Sequence, residues 1–149
     1  MFNKSYVTKD VEQIDVNSEY FPDLVYAGLE SHGSDLCGFV LKPQGKGPHP
    51  TAILLHGFPG YDDPIDLAHA LRRCGMNVLR FHYRGCWGVK GTYSFKHCME
   101  DVKSAKDYLT DEEVVKKFDI DIDNLFLVGH SMGGFLTLTH ACDKRIKAS

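Results

Sequence analysis

Leu125-Phe126-Leu127-Val128 runs directly into Gly129-His130-Ser131-Met132-Gly133-Gly134 and on into Phe135-Leu136-Thr137-Leu138. The first four residues read as a strand buried on both faces, and the last four continue as an apolar, helix-compatible stretch. A serine between them, flanked by glycine two residues to either side, reads as a nucleophile elbow, a turn so tight that the serine is strained and lifted clear of the sheet edge. Gly129 and Gly133 remove the Cβ atoms that would collide as strand folds back into helix, and Gly134 is expected to let the helix lie close. Ser131 then caps a helix N-terminus. There the amide of Met132 and the positive end of the helix dipole face any oxyanion formed when Ser131 attacks a carbonyl. The pentapeptide alone also arises by chance, and a serine before a helix is most often a plain cap. The strand before, the helix after and a matching turn upstream distinguish this one.

That upstream turn is His56-Gly57-Phe58-Pro59-Gly60, which ends the continuous apolar run Thr51-Ala52-Ile53-Leu54-Leu55. Between the two turns the chain alternates. Asp66 to Cys74 carries Leu67, Ala70 and Leu71 at helical spacing, and Gly75 stops it. Met76 to Tyr83 reads as strand. After the glycine-rich segment Arg84 to Thr92, Ser94 caps a helix whose stripe is Met99, Val102, Ala105 and Leu109. Thr110-x-x-Glu113 reads as the capping box of a short second helix. Asp121 to Asn124 turns the chain into the elbow strand. Upstream, Asp23 to Glu30 and Asp35 to Leu41 form a hairpin across Ser31-His32-Gly33-Ser34, Val7 to Val16 adds an earlier strand, and residues 42–50 form a proline- and glycine-rich connector. Strand and helix in alternation predict an α/β domain, a three-layer α/β/α sandwich on a mostly parallel sheet, with ligands at the carboxyl ends of its strands.

Composition narrows the partners. With 149 residues, 43% hydrophobic and 25% charged, the sequence is one globular domain's worth of chain. A net charge of −3 with scattered lysines offers no basic surface, so nucleic acid is not an expected partner. No apolar run approaches a membrane span, and Met1 to Ser5 lacks the apolar core of a signal peptide, so a cytoplasmic, membrane-free protein is expected. Cys37, Cys74, Cys86, Cys98 and Cys142 form an odd set without a C-x-x-C pair, and reduced thiols are expected. Asp119-x-Asp121-x-Asp123 lacks the glycine and the glutamate of a calcium loop, since Asn124 and His130 stand there. Neither a metal nor another cofactor is expected.

In these turns and their spacing the chain is similar to the α/β-hydrolase superfamily. The matching pieces are His56 to Gly60 after the third strand, Phe81-His82-Tyr83-Arg84-Gly85 after the fourth, and Gly129 to Gly133 after the fifth. The segment Arg80 to Gly88, followed by Gly91-x-Tyr93-Ser94-Phe95, resembles bacterial serine hydrolases of the prolyl-oligopeptidase and acyl-peptidase branch. Cys86 and Val89 stand where that branch carries smaller or more polar residues. The resemblance implies Ser131 as nucleophile and the backbone amides of Phe58 and Met132 as oxyanion donors. His56, Gly57, Gly129, His130 and Gly133 support the elbow and the oxyanion loop. His140, nine residues along the elbow helix, is ~13 Å from Ser131 and too far to act as base. His56 and His82 end strands on the same edge and are candidates for an unorthodox base.

In this superfamily the triad acid and histidine follow the nucleophile, so both are expected beyond Ser149 and the single domain, residues 1–149, is expected to be incomplete at its C-terminus. Lys144 to Ala148 reads as the approach to a sixth strand. With nothing to pair its far edge, the elbow strand is expected to leave backbone groups exposed for self-association. The resemblance implies a serine hydrolase acting on small acyl esters, thioesters or short peptides through an acyl-Ser131 intermediate. Two alternatives stand beside it: a non-catalytic binding module or inactive fragment that keeps the elbow as architecture, and, less favoured with serine at position 131, a dienelactone-type cysteine hydrolase.

Overall fold

Each apolar stretch has a face to bury, and the sheet sorts them. The computed structural model describes residues 17–58 and 64–149; the strand expected within Val7 to Val16 lies outside them, as do Pro59, Gly60 and Tyr61. In chain order the elements are β1 (Asp23–Tyr26), β2 (Glu30–Ser31), β3 (Ser34–Asp35), β4 (Phe39–Lys42), β5 (His49–Leu55), α1 (Ile65–Arg73), β6 (Asn77–Arg80), α2 (Phe95–Leu109), α3 (Glu112–Phe118), β7 (Ile120–Gly129), α4 (Met132–His140) and β8 (Ile146–Ala148). The hairpin forms as expected but is divided: β1 pairs β4 at its base and the β2–β3 ribbon closes its tip. Six strands make one sheet in the order β1-β4-β6-β5-β7-β8. β1, β4 and β6 pair antiparallel, whereas β6, β5, β7 and β8 run parallel.

The two-residue period of the strands separates two cores. Val40, Ile53, Leu55, Leu79, Leu125 and Leu127 face α2, α3 and α4, with Cys98, Val102, Ala105, Leu109, Phe118 and Leu136 packed onto them. Leu41, Leu54 and Val78 point the other way, onto Ala68 of α1. Cys98 takes the buried place expected of Met99, which is only half-buried. Ser94 does cap α2, its hydroxyl accepting from the His97 amide at 3.1 Å. The cap of α3 is one residue later than expected. Asp111 accepts from the amides of Glu113 and Val114, while the Thr110 hydroxyl donates back to the Lys106 and Asp107 carbonyls. Thr110 ends α2, and its hydroxyl is spent on the carbonyls that a helix C-terminus leaves unpaired.

The elbow strand is not left without a neighbour. Ile146–Ala148 forms β8 and pairs with it in parallel, Leu125 opposite Ile146 and Phe126 opposite Ala148. The five residues after α4 are enough to return the chain because an ion-pair network folds them onto α2. Lys106, buried on α2, donates to Asp143 at 2.7 Å and to His140 Nδ1 at 2.9 Å. Arg145 reaches Asp143 and Asp107, both at 2.7 Å. The open edge expected beside Leu125 to Val128 is thus partly covered, and the three-residue β8 becomes the outer strand of the sheet. On the α1 side, Phe126, Leu127, Val128 and Ala148 line an apolar groove of about 480 Å³ with Leu71 and Met76.

The network makes stability depend on acidity. Arg145, then Lys106, hold the Asp143 carboxyl well below its ordinary value of 3.8. Burial, then Lys106, hold the His140 imidazole below 6.5. In both cases the unfolded chain binds a proton that the folded chain resists, so stability rises with pH through each interval and falls on acidification. Urea midpoints are expected to drop first below pH 6.5, from His140, and again below 3.8, from Asp143. His140→Gln should remove the first step, and Asp143→Asn should flatten the second while lowering the midpoint at neutral pH.

Candidate active site

Backbone geometry at the elbow follows from its glycines. Ser131, between β7 and α4, has φ 55° and ψ −118°, a left-handed conformation that costs a side-chain-bearing residue ~1–3 kcal/mol. Gly133 packs directly on the carbonyl of Leu55, and Gly129 on the carbonyl of Gly133, so that a Cβ at either position would overlap backbone. Gly134 is different: a Cβ there would come no closer than 3.6 Å to the Gly129 carbonyl, ordinary contact. It is not the close-packing glycine that the sequence suggested. The Gly133 amide donates to the His130 carbonyl at 2.8 Å and the Phe135 amide to the Ser131 carbonyl at 3.2 Å, closing the first turn. The Ser131 side chain makes no capping bond to its helix and the residue is exposed. Its hydroxyl is thus presented outward. The Met132 amide, in the first turn of α4, is among those a helix N-terminus leaves without an intrahelical acceptor.

The loop after β5 closes on this turn. The His130 amide donates to the Leu55 carbonyl at 3.3 Å, and a Cβ on Gly57 would stand 3.2 Å from the Ser131 Cβ. Gly57 and Ser131 therefore touch, which brings the next residue, Phe58, to the nucleophile's side of the edge. Phe58 is 60% exposed. His56 is buried, its Nδ1 2.8 Å from the Gly57 carbonyl and its ring 4.3 Å from that of Tyr83 and 5.4 Å from that of His82, centroid to centroid. His82 is half-buried beside Trp87. His140 ends α4, remote from Ser131, with Nδ1 accepting from Lys106. The structure thus gathers Ser131, Met132, Gly57 and Phe58 at one place, supported by Gly129, Gly133, His130 and His56.

Two residues stood in the quoted motifs without an assigned role. The first is Arg84, whose backbone amide and Nε donate to Asp101 at 2.9 and 2.6 Å, while its Nη2 reaches Glu100 at 2.6 Å and the His97 carbonyl at 3.1 Å. This buried pair ties the loop after β6 to α2. The second is Tyr93, at the end of that loop, which contacts both Phe58 and Met132. Phe95 and Phe135 continue the aromatic edge, with centroids 6.1 Å apart.

Strain at Ser131 should be measurable as stability. Glycine adopts the same φ without penalty, although it loses more freedom on folding. Ser131→Gly is expected to be ~1 kcal/mol more stable than Ser131→Ala, which keeps the strain, as read by paired urea titrations.

Comparison with known proteins agrees with this fold. The sequence profile described as Alpha/beta hydrolase family matches residues 52–148. The chain is 32% identical over 114 residues to Esterase EstD of Thermotoga maritima, covering 68% of this chain and 26% of that protein. It is 33% identical over 103 residues to a proline iminopeptidase of Saccharolobus solfataricus, covering 64% of this chain and 30% of that one. Among solved structures, XC6422 from Xanthomonas campestris, described as an a/b serine hydrolase without lid, superposes with TM-score 0.63 at 19% identity over 91% of this chain and 61% of its own. The chain therefore spans about a quarter to a third of the length of these two curated relatives. No helix among the described residues is long and apolar enough to cross a membrane.

Proposed function

We propose, on the premise that this chain belongs to the alpha/beta hydrolase family, that it is a serine hydrolase acting on carboxylic esters through an acyl-Ser131 intermediate. The observation that carries the reading is the left-handed Ser131 at a strand-to-helix apex, with its side chain uncommitted to the helix and Gly57 packed against its Cβ. A backbone under strain persists where surrounding packing over-determines it, and here the packing is Gly133 on Leu55. In the proposed reaction Ser131 Oγ attacks the ester carbonyl and gives up its proton to a base. The carbonyl oxygen takes the negative charge, and the amides of Met132 and Phe58 donate to it. Collapse expels the alcohol, which takes its proton from the base, and water, deprotonated by the same base, then releases the acid and returns Ser131 to its hydroxyl form. The base is a histidine, which the family order places after Ser131. Thioesters and short peptides would follow the same steps.

Likeness to an esterase favours the ester reading, and likeness to an iminopeptidase favours the peptide one. Hydrolysis of p-nitrophenyl butyrate and of prolyl p-nitroanilide by the same preparation separates them. Ester turnover is expected to exceed anilide turnover, and Ser131→Ala should reduce it to the buffer rate. Anilide cleaved faster than ester would reassign the substrate, and ester turnover unchanged in Ser131→Ala would remove the nucleophile.

A further inference from the structure

The two amides that would hold an oxyanion come from segments far apart in sequence, Phe58 after β5 and Met132 at the start of α4. To act on one oxygen they must be held within ~0.5 Å of a shared geometry. Tyr93 touches both residues. Its ring lies against that of Phe58, with centroids 5.1 Å apart and planes 33° apart, and its hydroxyl meets the Met132 sulfur, with the Cys98 thiol as a second partner.

Tyr93 is itself fixed. Gly85, at φ 78°, passes so close to the Tyr93 amide that no Cβ would fit between them. The Ser94 cap starts α2 one residue later, and Arg84 is bonded to Asp101, Glu100 and the His97 carbonyl of that same helix. Burial, with Cys98 beside it, pushes the phenol well above its ordinary value of 10.0. The hydroxyl therefore keeps its proton and stays a donor.

We propose that Tyr93 is a positioning residue for the oxyanion hole, holding the Phe58 segment through its ring and the Met132 segment through its hydroxyl so that the two amides converge. The proposal rests on the reading of Ser131 as nucleophile. It also accounts for the anchoring of the loop after β6, because the buried Arg84–Asp101 pair sets the position of Tyr93, and Tyr93 sets that of the donors. Losing one oxyanion donor costs ~100-fold or more in rate, and displacing a group by ~1 Å costs a comparable factor.

The test uses ¹⁵N-labelled protein that includes the histidine expected after Ser131, with Tyr93→Phe and Tyr93→Ala, reading the Phe58 and Met132 amide resonances together with the rate of Ser131 modification by a fluorophosphonate. Tyr93→Phe keeps the ring and should move the Met132 amide alone. Tyr93→Ala should move both amides and slow the maximal modification rate ~100-fold, with little change in the concentration giving half-maximal rate. Unmoved amides in Tyr93→Ala, or a maximal rate equal to the original, would overturn the proposal. If Tyr93→Ala does not fold, Tyr93→Phe decides, since an unmoved Met132 amide is then sufficient to reject it. A wild-type protein that resists the reagent would count against Ser131 as nucleophile, and the amide shifts would still decide whether Tyr93 holds the two N–H groups.

Discussion

Gly133→Ala is expected to lower the stability of this chain by ~3 kcal/mol, whereas Gly134→Ala, one residue on, should leave it unchanged or raise it by up to ~1 kcal/mol. The two glycines sit side by side in one sequence pair and in one helix turn. What separates them is the partner. A methyl group at Gly133 would overlap the Leu55 carbonyl, which is fixed in β5, the strand between β6 and β7. Neither side can yield without moving the sheet or lifting α4 off it. At Gly134 the nearest atom is the Gly129 carbonyl at 3.6 Å, so the methyl enters an ordinary contact and gains helix propensity. Urea midpoints of the two variants measure the difference. Equal midpoints would mean that the elbow is not packed on β5 as described.

Asp101→Ala is expected to cost ~3–5 kcal/mol, the range for removing one partner of a buried ion pair. Asp101 has no exposed surface, and its carboxylate accepts from both the side chain and the backbone amide of Arg84. Without it, a guanidinium with 8% of its side chain exposed keeps only Glu100 and the His97 carbonyl. The loss is local as well as global, because the loop after β6 carries Trp87 beside His82 and Tyr93 beside Phe58. Lys103→Ala, which breaks an exposed pair four residues apart on the same helix, should stay within ~0.5 kcal/mol. Thermal unfolding of the two variants reads this contrast directly. An Asp101→Ala protein as stable as Lys103→Ala would show that the loop is held by something other than this pair.

The elbow was legible because its geometry is a demand on residue type: only glycine fits at positions 129 and 133, and their spacing around Ser131 states the turn. The parallel strands were legible for a similar reason, since continuous apolar runs such as Ala52 to Leu55 can be buried only on both faces of a sheet. Elements set by competition between neighbours were harder to read. Thr110 and Asp111 both suit a cap, and which one caps α3 depends on Thr110 already ending α2. Lys144 to Ala148 was read as the approach to a sixth strand, but its pairing with the elbow strand was missed because so short a segment has little strand character of its own. Its pairing follows from the Lys106, Asp143 and Arg145 network, whose members lie up to 39 positions apart along the chain. Gly134 looked like Gly133 because sequence carries spacing but not distance. Tyr93 stood in the quoted motif without a role, since nothing local to it indicates that Phe58 and Met132 meet on either side.

Whether Ser131 is an activated nucleophile is decided most directly by incubating the folded protein, carried through to the histidine expected after Ser131, with a fluorophosphonate and locating the adduct by peptide mass spectrometry. A single adduct on Ser131, absent after denaturation in urea and absent in Ser131→Ala, is the outcome predicted by the strained elbow and the proposed oxyanion donors. A folded protein whose Ser131 remains unmodified, or whose adduct lies on another residue, would contradict it.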